Sequence, residues 1–77
     1  MNKIVEVEWF DAQSSMESWT IEELKEQLKP LRTFSVGYLI EDNKDYIIIG
    51  FTDFGNGLIK HHQCIPKKII KRMKVLQ

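Results

Sequence analysis

Three side chains able to do nucleophilic or metal chemistry fall within four positions: His61, His62 and Cys64. On a strand, His62 and Cys64 would share a face, as a thiol and its activating base must. A nucleophilic site also needs an oxyanion-stabilising element and a group to orient the base, and no motif for either is present. The competing reading of Cys64 is a small core residue, one of the types most often buried. A structural zinc draws its four ligands from two clusters as a rule, and here there is one. Carboxylate pairs occur twice, Glu6 with Glu8 on one strand face and Asp42 with Asp45 in one turn, and such pairs can divide acid and base roles. Alternating glutamates more commonly face water, however, and turn aspartates cap their own backbone. Gly55-Asn56-Gly57 lacks the Lys-Ser/Thr of a phosphate loop and reads as a turn. These patterns predict a protein that is not an enzyme and that carries no metal and no cofactor.

The densest signal is electrostatic. Residues 57–77 hold five lysines, one arginine and both histidines without a single acid, whereas residues 1–56 carry all eleven carboxylates against five basic side chains. A formal net charge of zero therefore divides into −6 and +6. Lys60, His62, Lys67, Lys68, Lys71 and Arg72 can hold phosphate groups through charge-assisted hydrogen bonds. A ring such as Tyr38 or Tyr46 can stack on a base. Three readings compete: an anion site, a solvated face that guards a strand edge, and a surface that pairs with the acidic half of a second subunit. High-affinity tracking of a duplex normally comes with net positive charge, so the zero balance favours a small anionic, nucleotide-like ligand over long nucleic acid. Trp9 and Trp19 are explained first as core residues and only second as stacking platforms.

These groups must be positioned by short elements. Residues 4–10 alternate, with Val5, Val7 and Trp9 on one face and Glu6 and Glu8 on the other, the period of a half-buried strand. Thr20 and Glu23 form a T-x-x-E capping box, and Trp19 with Leu24 can make its hydrophobic staple. Ile21, Leu24 and Leu28 then form the stripe of a helix of about nine residues, stopped by Pro30 and expected to pack on the sheet. Residues 33–41 alternate again, with Phe34, Val36, Tyr38 and Ile40 on one face; Gly37 marks a bend or a close backbone approach. Tyr46 to Phe51 is a continuous apolar run that reads as a strand covered on both sides. Leu58 to Ile65 predicts a strand that Pro66 places at an edge or corner. Over 67–76 the pattern fits a short turn at 67–69 followed by a strand, although Ile69, Met73 and Leu76 also match a helical stripe.

The whole is one domain, α+β and β-rich: a small, strongly bent sheet or barrel of about five strands with one short helix over about residues 20–29. A chain of 77 residues has a thin core, and with one cysteine it lacks a disulfide, so a homo-oligomer is expected. A free thiol and the lack of a leader or long apolar run lead to a cytoplasmic protein with no membrane partner.

The blocks Val7-Glu8-Trp9-Phe10-Asp11-Ala12-Gln13-Ser14, Ser35-Val36-Gly37-Tyr38-Leu39-Ile40 and Ile65-Pro66-Lys67-Lys68-Ile69-Ile70-Lys71-Arg72 resemble those of short proteins encoded by tailed bacteriophages. That resemblance implies a phage origin, a host-cytoplasmic location and a role against host defence, such as sequestering a nucleotide signal. A second, fold-level resemblance is to the Sm/SH3-like barrels of RNA-binding rings. Those barrels have a G-x-L-x-x-x-D pattern in their second strand and a helix before the first; here Gly37-Tyr38-Leu39 is followed by Asp42 one residue early, and the helix follows the first strand. The resulting expectation is an oligomeric module that captures a small anionic ligand at a subunit interface. The alternatives are a single-stranded RNA-binding ring and a protein–protein inhibitor or adaptor.

Overall fold

A computed structural model describes residues 3–77. Strands β1 (Ile4–Asp11), β2 (Leu31–Asp42), β3 (Tyr46–Asp53), β4 (Ile59–Pro66) and β5 (Ile70–Val75) form one antiparallel sheet in the order β4-β3-β2-β1-β5. Helix α1 (Ile21–Gln27) lies between β1 and β2, and a 3-10 turn over Lys67–Ile69 joins β4 to β5. The 67–76 ambiguity thus resolves as turn and strand. The sheet is open, with β4 and β5 as its outer strands, so of the two expected forms, bent sheet or barrel, the barrel is not the one found. Bending comes from two irregularities in register, between Glu8 and Trp9 of β1 and at Ile40 of β2.

Local chemistry sets the corners. Asn43 Oδ1 accepts from the amides of Asp45 and Tyr46 at 2.9 and 3.0 Å, closing the β2–β3 hairpin. In the β3–β4 turn, Asp53 Oδ1 accepts from the Gly55 amide at 2.8 Å, and Gly55 and Gly57 take φ of 83° and 86°. Glycine enters that region without steric penalty. The Lys67 amide donates to the Asp45 carbonyl at 2.9 Å and ties the 3-10 turn to the first hairpin.

The core is formed by Val5, Val7 and Trp9 of β1, Ile47 and Ile49 of β3 and Ile65 of β4, with Leu39, Ile69, Ile70 and Met73 packed around them. Each fully buried side chain contributes roughly 1.5–3 kcal/mol. Trp9 Nε1 donates to Ser35 Oγ at 3.1 Å, and the Ser35 hydroxyl donates to Gln63 Oε1 at 3.1 Å, a relay linking three strands. Six buried apolar residues among those described are few, and the shape reflects this. The radius of gyration is 15.6 Å and the extents are 50 × 22 × 20 Å, against about 11.5 Å for a compact chain of this length.

Several expectations are corrected. The helix is shorter than 20–29, and its cap is as predicted: Thr20 Oγ1 accepts from the Glu23 amide at 3.1 Å and donates to the Glu23 carboxylate at 3.0 Å. It does not bury its stripe, however; none of its residues is buried and Ile21 is 71% exposed. Trp19 is half-buried outside the core, its Nε1 donating to Glu17 at 3.0 Å. The cover of β3 is confined to its middle: Ile47, Ile49 and Gly50 are buried and Ile48 half-buried, whereas Tyr46 at its start and Phe51 near its end are exposed. Cys64 is exposed, because β4 turns Ile65 and not Cys64 toward the core. Glu8, expected in water, is buried beneath the Arg32 side chain.

β2 holds the sheet together in two halves. Leu31 to Gly37 pair only with β1, Tyr38 pairs with both β1 and β3, and Leu39 to Asp42 run beside β3. At the division, a Cβ on Gly37 would lie 2.7 Å from the Gly50 carbonyl oxygen, so the close approach read from the sequence is real. Beyond Gly50, β3 and β4 continue as a two-stranded ribbon paired only with each other.

Candidate functional site

Directly opposed residues of an antiparallel pair point to the same face. Register places Val5, Val7 and Trp9 beside Gly37, Ser35 and Thr33 on the inner face, and Ile4, Glu6, Glu8 and Phe10 beside Tyr38, Val36, Phe34 and Arg32 on the outer face. The apolar face of β2 therefore points away from the core. Phe34 is 54% exposed and Val36 47%. Where a local pattern disagrees with the global fold, function is the usual reason.

Two recesses flank this outward stripe. One, of about 160 Å³, is lined by Glu6, Glu8, Arg32, Phe34, Arg72 and Lys74. Arg32 pairs with Glu8 Oε2 while its guanidinium sits 5.1 Å from the Phe34 ring centroid, a cation–π arrangement. Arg72 Nε lies 4.0 Å from Glu8 Oε1. The other is a groove of about 880 Å³ between the outer face and the β3–β4 ribbon. Tyr38, Ile4, Ile40 and Ile59 make its apolar part, and Lys3, Gln77, Asp53 and the turn glycines make its rim.

The sequence-derived site residues are distributed rather than gathered. Lys60 and His62 are on β4, and Lys71 and Arg72 on β5 at the opposite end of the strand order, with Lys67 and Lys68 in the turn between them. Tyr38 is on β2 in the large groove. Part of the basic segment meets the acidic half of its own chain. Lys67 Nζ lies 2.6 Å from Asp42 Oδ1, and Arg72 and Lys74 stand opposite Glu8 and Glu6 in register. Lys60, His62, Lys68 and Lys71 remain exposed.

Arg32, Phe34, Lys3 and Ile59 escaped the sequence reading. The alternation Arg32-x-Phe34-x-Val36-x-Tyr38 was the available signal, set against a β1 whose opposite face carries two glutamates. Among the described residues no group of three or more His, Cys, Asp or Glu side chains is placed to hold a metal ion, and no helix is long and apolar enough to cross a membrane. Comparison with protein-family models, with curated proteins and with solved structures gave no match. The functional reading therefore rests on the residues themselves.

Proposed function

We propose that this protein is a non-enzymatic binding module that captures a small anionic, nucleotide-like ligand in the groove over Tyr38. The observation that carries the reading is the groove itself: about 880 Å³, with an aromatic ring and three isoleucines below a rim that includes Lys3 and the Gly55–Gly57 turn. A volume in this range suits a drug-sized or nucleotide-sized molecule. Tyr38 supplies a stacking surface, Lys3 a cation for phosphate, and Asp53 an acceptor for an exocyclic amine. The phage resemblance gives this capture a purpose, the removal of a host signal, with affinity and abundance as its only requirements. We read the architecture as an unclosed relative of the Sm/SH3-like barrels, with the 3-10 turn bridging the gap.

A thermal-shift screen of cyclic nucleotides and ADP-ribose-type compounds tests the proposal. A ligand at about a hundred times its Kd stabilises by about 2.7 kcal/mol, which for a domain of this size raises Tm by roughly 10 °C or more. Tyr38→Ala should abolish that shift while leaving the unliganded Tm within a few degrees. No shift with any of them, in protein shown to be folded, sinks the reading. A second reading, a protein–protein adaptor, is favoured by the outward stripe of β2. In that case pull-down from a host lysate succeeds and the ligand screen stays silent.

A further inference from the structure

Among the described residues the three longest stretches of strand edge without a neighbour are β4, β5 and the Leu31–Gly37 half of β2; shorter ones are left on β2 after Tyr38, on its β1 side, and on β3 after Gly50. Bare edges are templates for another strand, and proteins blunt them with charge. Two of the three are blunted. β4 carries Lys60, His61 and His62, and β5 carries Lys71, Arg72 and Lys74. A β4 edge placed on another β4 or on a β5 would set basic side chains against basic side chains. The β2 stretch is different, since Arg32 is its single charged residue and it has no proline.

We propose that the Leu31–Gly37 edge pairs with the same edge of a second copy, antiparallel about a two-fold axis at Phe34. A two-fold between antiparallel strands must pair one residue with its own copy. Phe34 is the midpoint of the free stretch, so this register uses all of it. It sets Arg32 opposite Val36 of the second copy, and Thr33 opposite Ser35. The only charge then faces an aliphatic side chain and not its own image. Phe34 and Val36, exposed in the single chain, merge with their copies into one apolar patch across the join. A chain with six buried apolar residues among those described gains the missing cover by doubling its sheet. This assignment holds whether or not the groove over Tyr38 takes a ligand.

Site-specific cross-linking tests it. Opposed residues in an antiparallel pair have Cα atoms about 4.5–5.5 Å apart, within disulfide range. In a Cys64→Ser background, Phe34→Cys, His62→Cys and Lys74→Cys are oxidised at equal concentration. Position 34 should give covalent dimer at least tenfold faster than positions 62 and 74. Light scattering of the unaltered chain should report twice its 9.1 kDa, and Val36→Lys should weaken association at least tenfold with an unchanged circular dichroism spectrum. Should Val36→Lys fail to fold, the cross-linking rates decide. A single-chain mass across the micromolar range overturns the proposal and leaves the edge to a foreign strand. Equal cross-linking at 34, 62 and 74 overturns it too.

Discussion

β1 and β2 lie side by side with the same two-residue alternation, yet they turn it in opposite directions. β1 sends Val5, Val7 and Trp9 into the core and keeps Glu6 and Glu8 on the outer face. β2 sends Ser35 and Gly37 inward and Phe34 and Val36 out. Alternation identifies a strand, but the register with its neighbour decides which face is covered. The inner face of β2 can be small and polar because Ser35 is satisfied by Trp9 and Gln63, and because β3 crosses close over Gly37. The apolar face is then free for something outside the chain.

The sharpest way to break this contrast is to truncate the inner face of β1. Trp9→Ala removes a ring that is 7% exposed, together with the donor to Ser35. It should cost about 3–5 kcal/mol, close to the whole stability of so small a domain. Circular dichroism should show a largely unfolded chain, and a near-normal urea midpoint would remove β1 from its place as the inward strand. The crossing is tested next by Gly37→Ala. Its new methyl meets backbone and not a flexible side chain, so the urea midpoint should fall by the equivalent of about 1–3 kcal/mol. No change would mean that β3 does not approach β2 as described. The smallest effect belongs to the outer face. Phe34→Thr, measured in protein dilute enough to be a single chain, should stay within about 0.5 kcal/mol. A loss as large as that of Trp9→Ala would show the stripe to be covered within the chain.

The elements themselves were legible in the sequence because they are local. Thr20 and Glu23 cap the helix, Asn43 closes one hairpin, and Gly55 and Gly57 turn the other, each through contacts within three residues. Packing was not legible for the helix: seven residues form too short an element to reveal from their own stripe whether any surface awaits it. The charge split was legible only in part. A composition of −6 and +6 suggests a basic site or a subunit contact, and within the chain Glu6 and Glu8 stand opposite Lys74 and Arg72 once β1 lies against β5, while Lys60, His62, Lys68 and Lys71 stay exposed. That pairing joins residues more than sixty positions apart, and no window of sequence contains it. Tyr38 drew attention for its ring alone, whereas Lys3 and Ile59 line the same groove only once β1 and β4 are placed by the fold.

The partnership of β1 with β5 also governs how the molecule comes to be folded. Val5 pairs with Val75, and the Ile4 amide donates to the Gln77 carbonyl at 2.9 Å. The strand at the heart of the core thus acquires its second neighbour from the far end of the described chain. Contacts of such separation require closing a long loop before they repay its entropy, and chains dominated by them fold on the slow, millisecond-to-second side. Until β5 arrives, β1 has an open flank, and the half-formed sheet presents a sticky edge that the finished one hides.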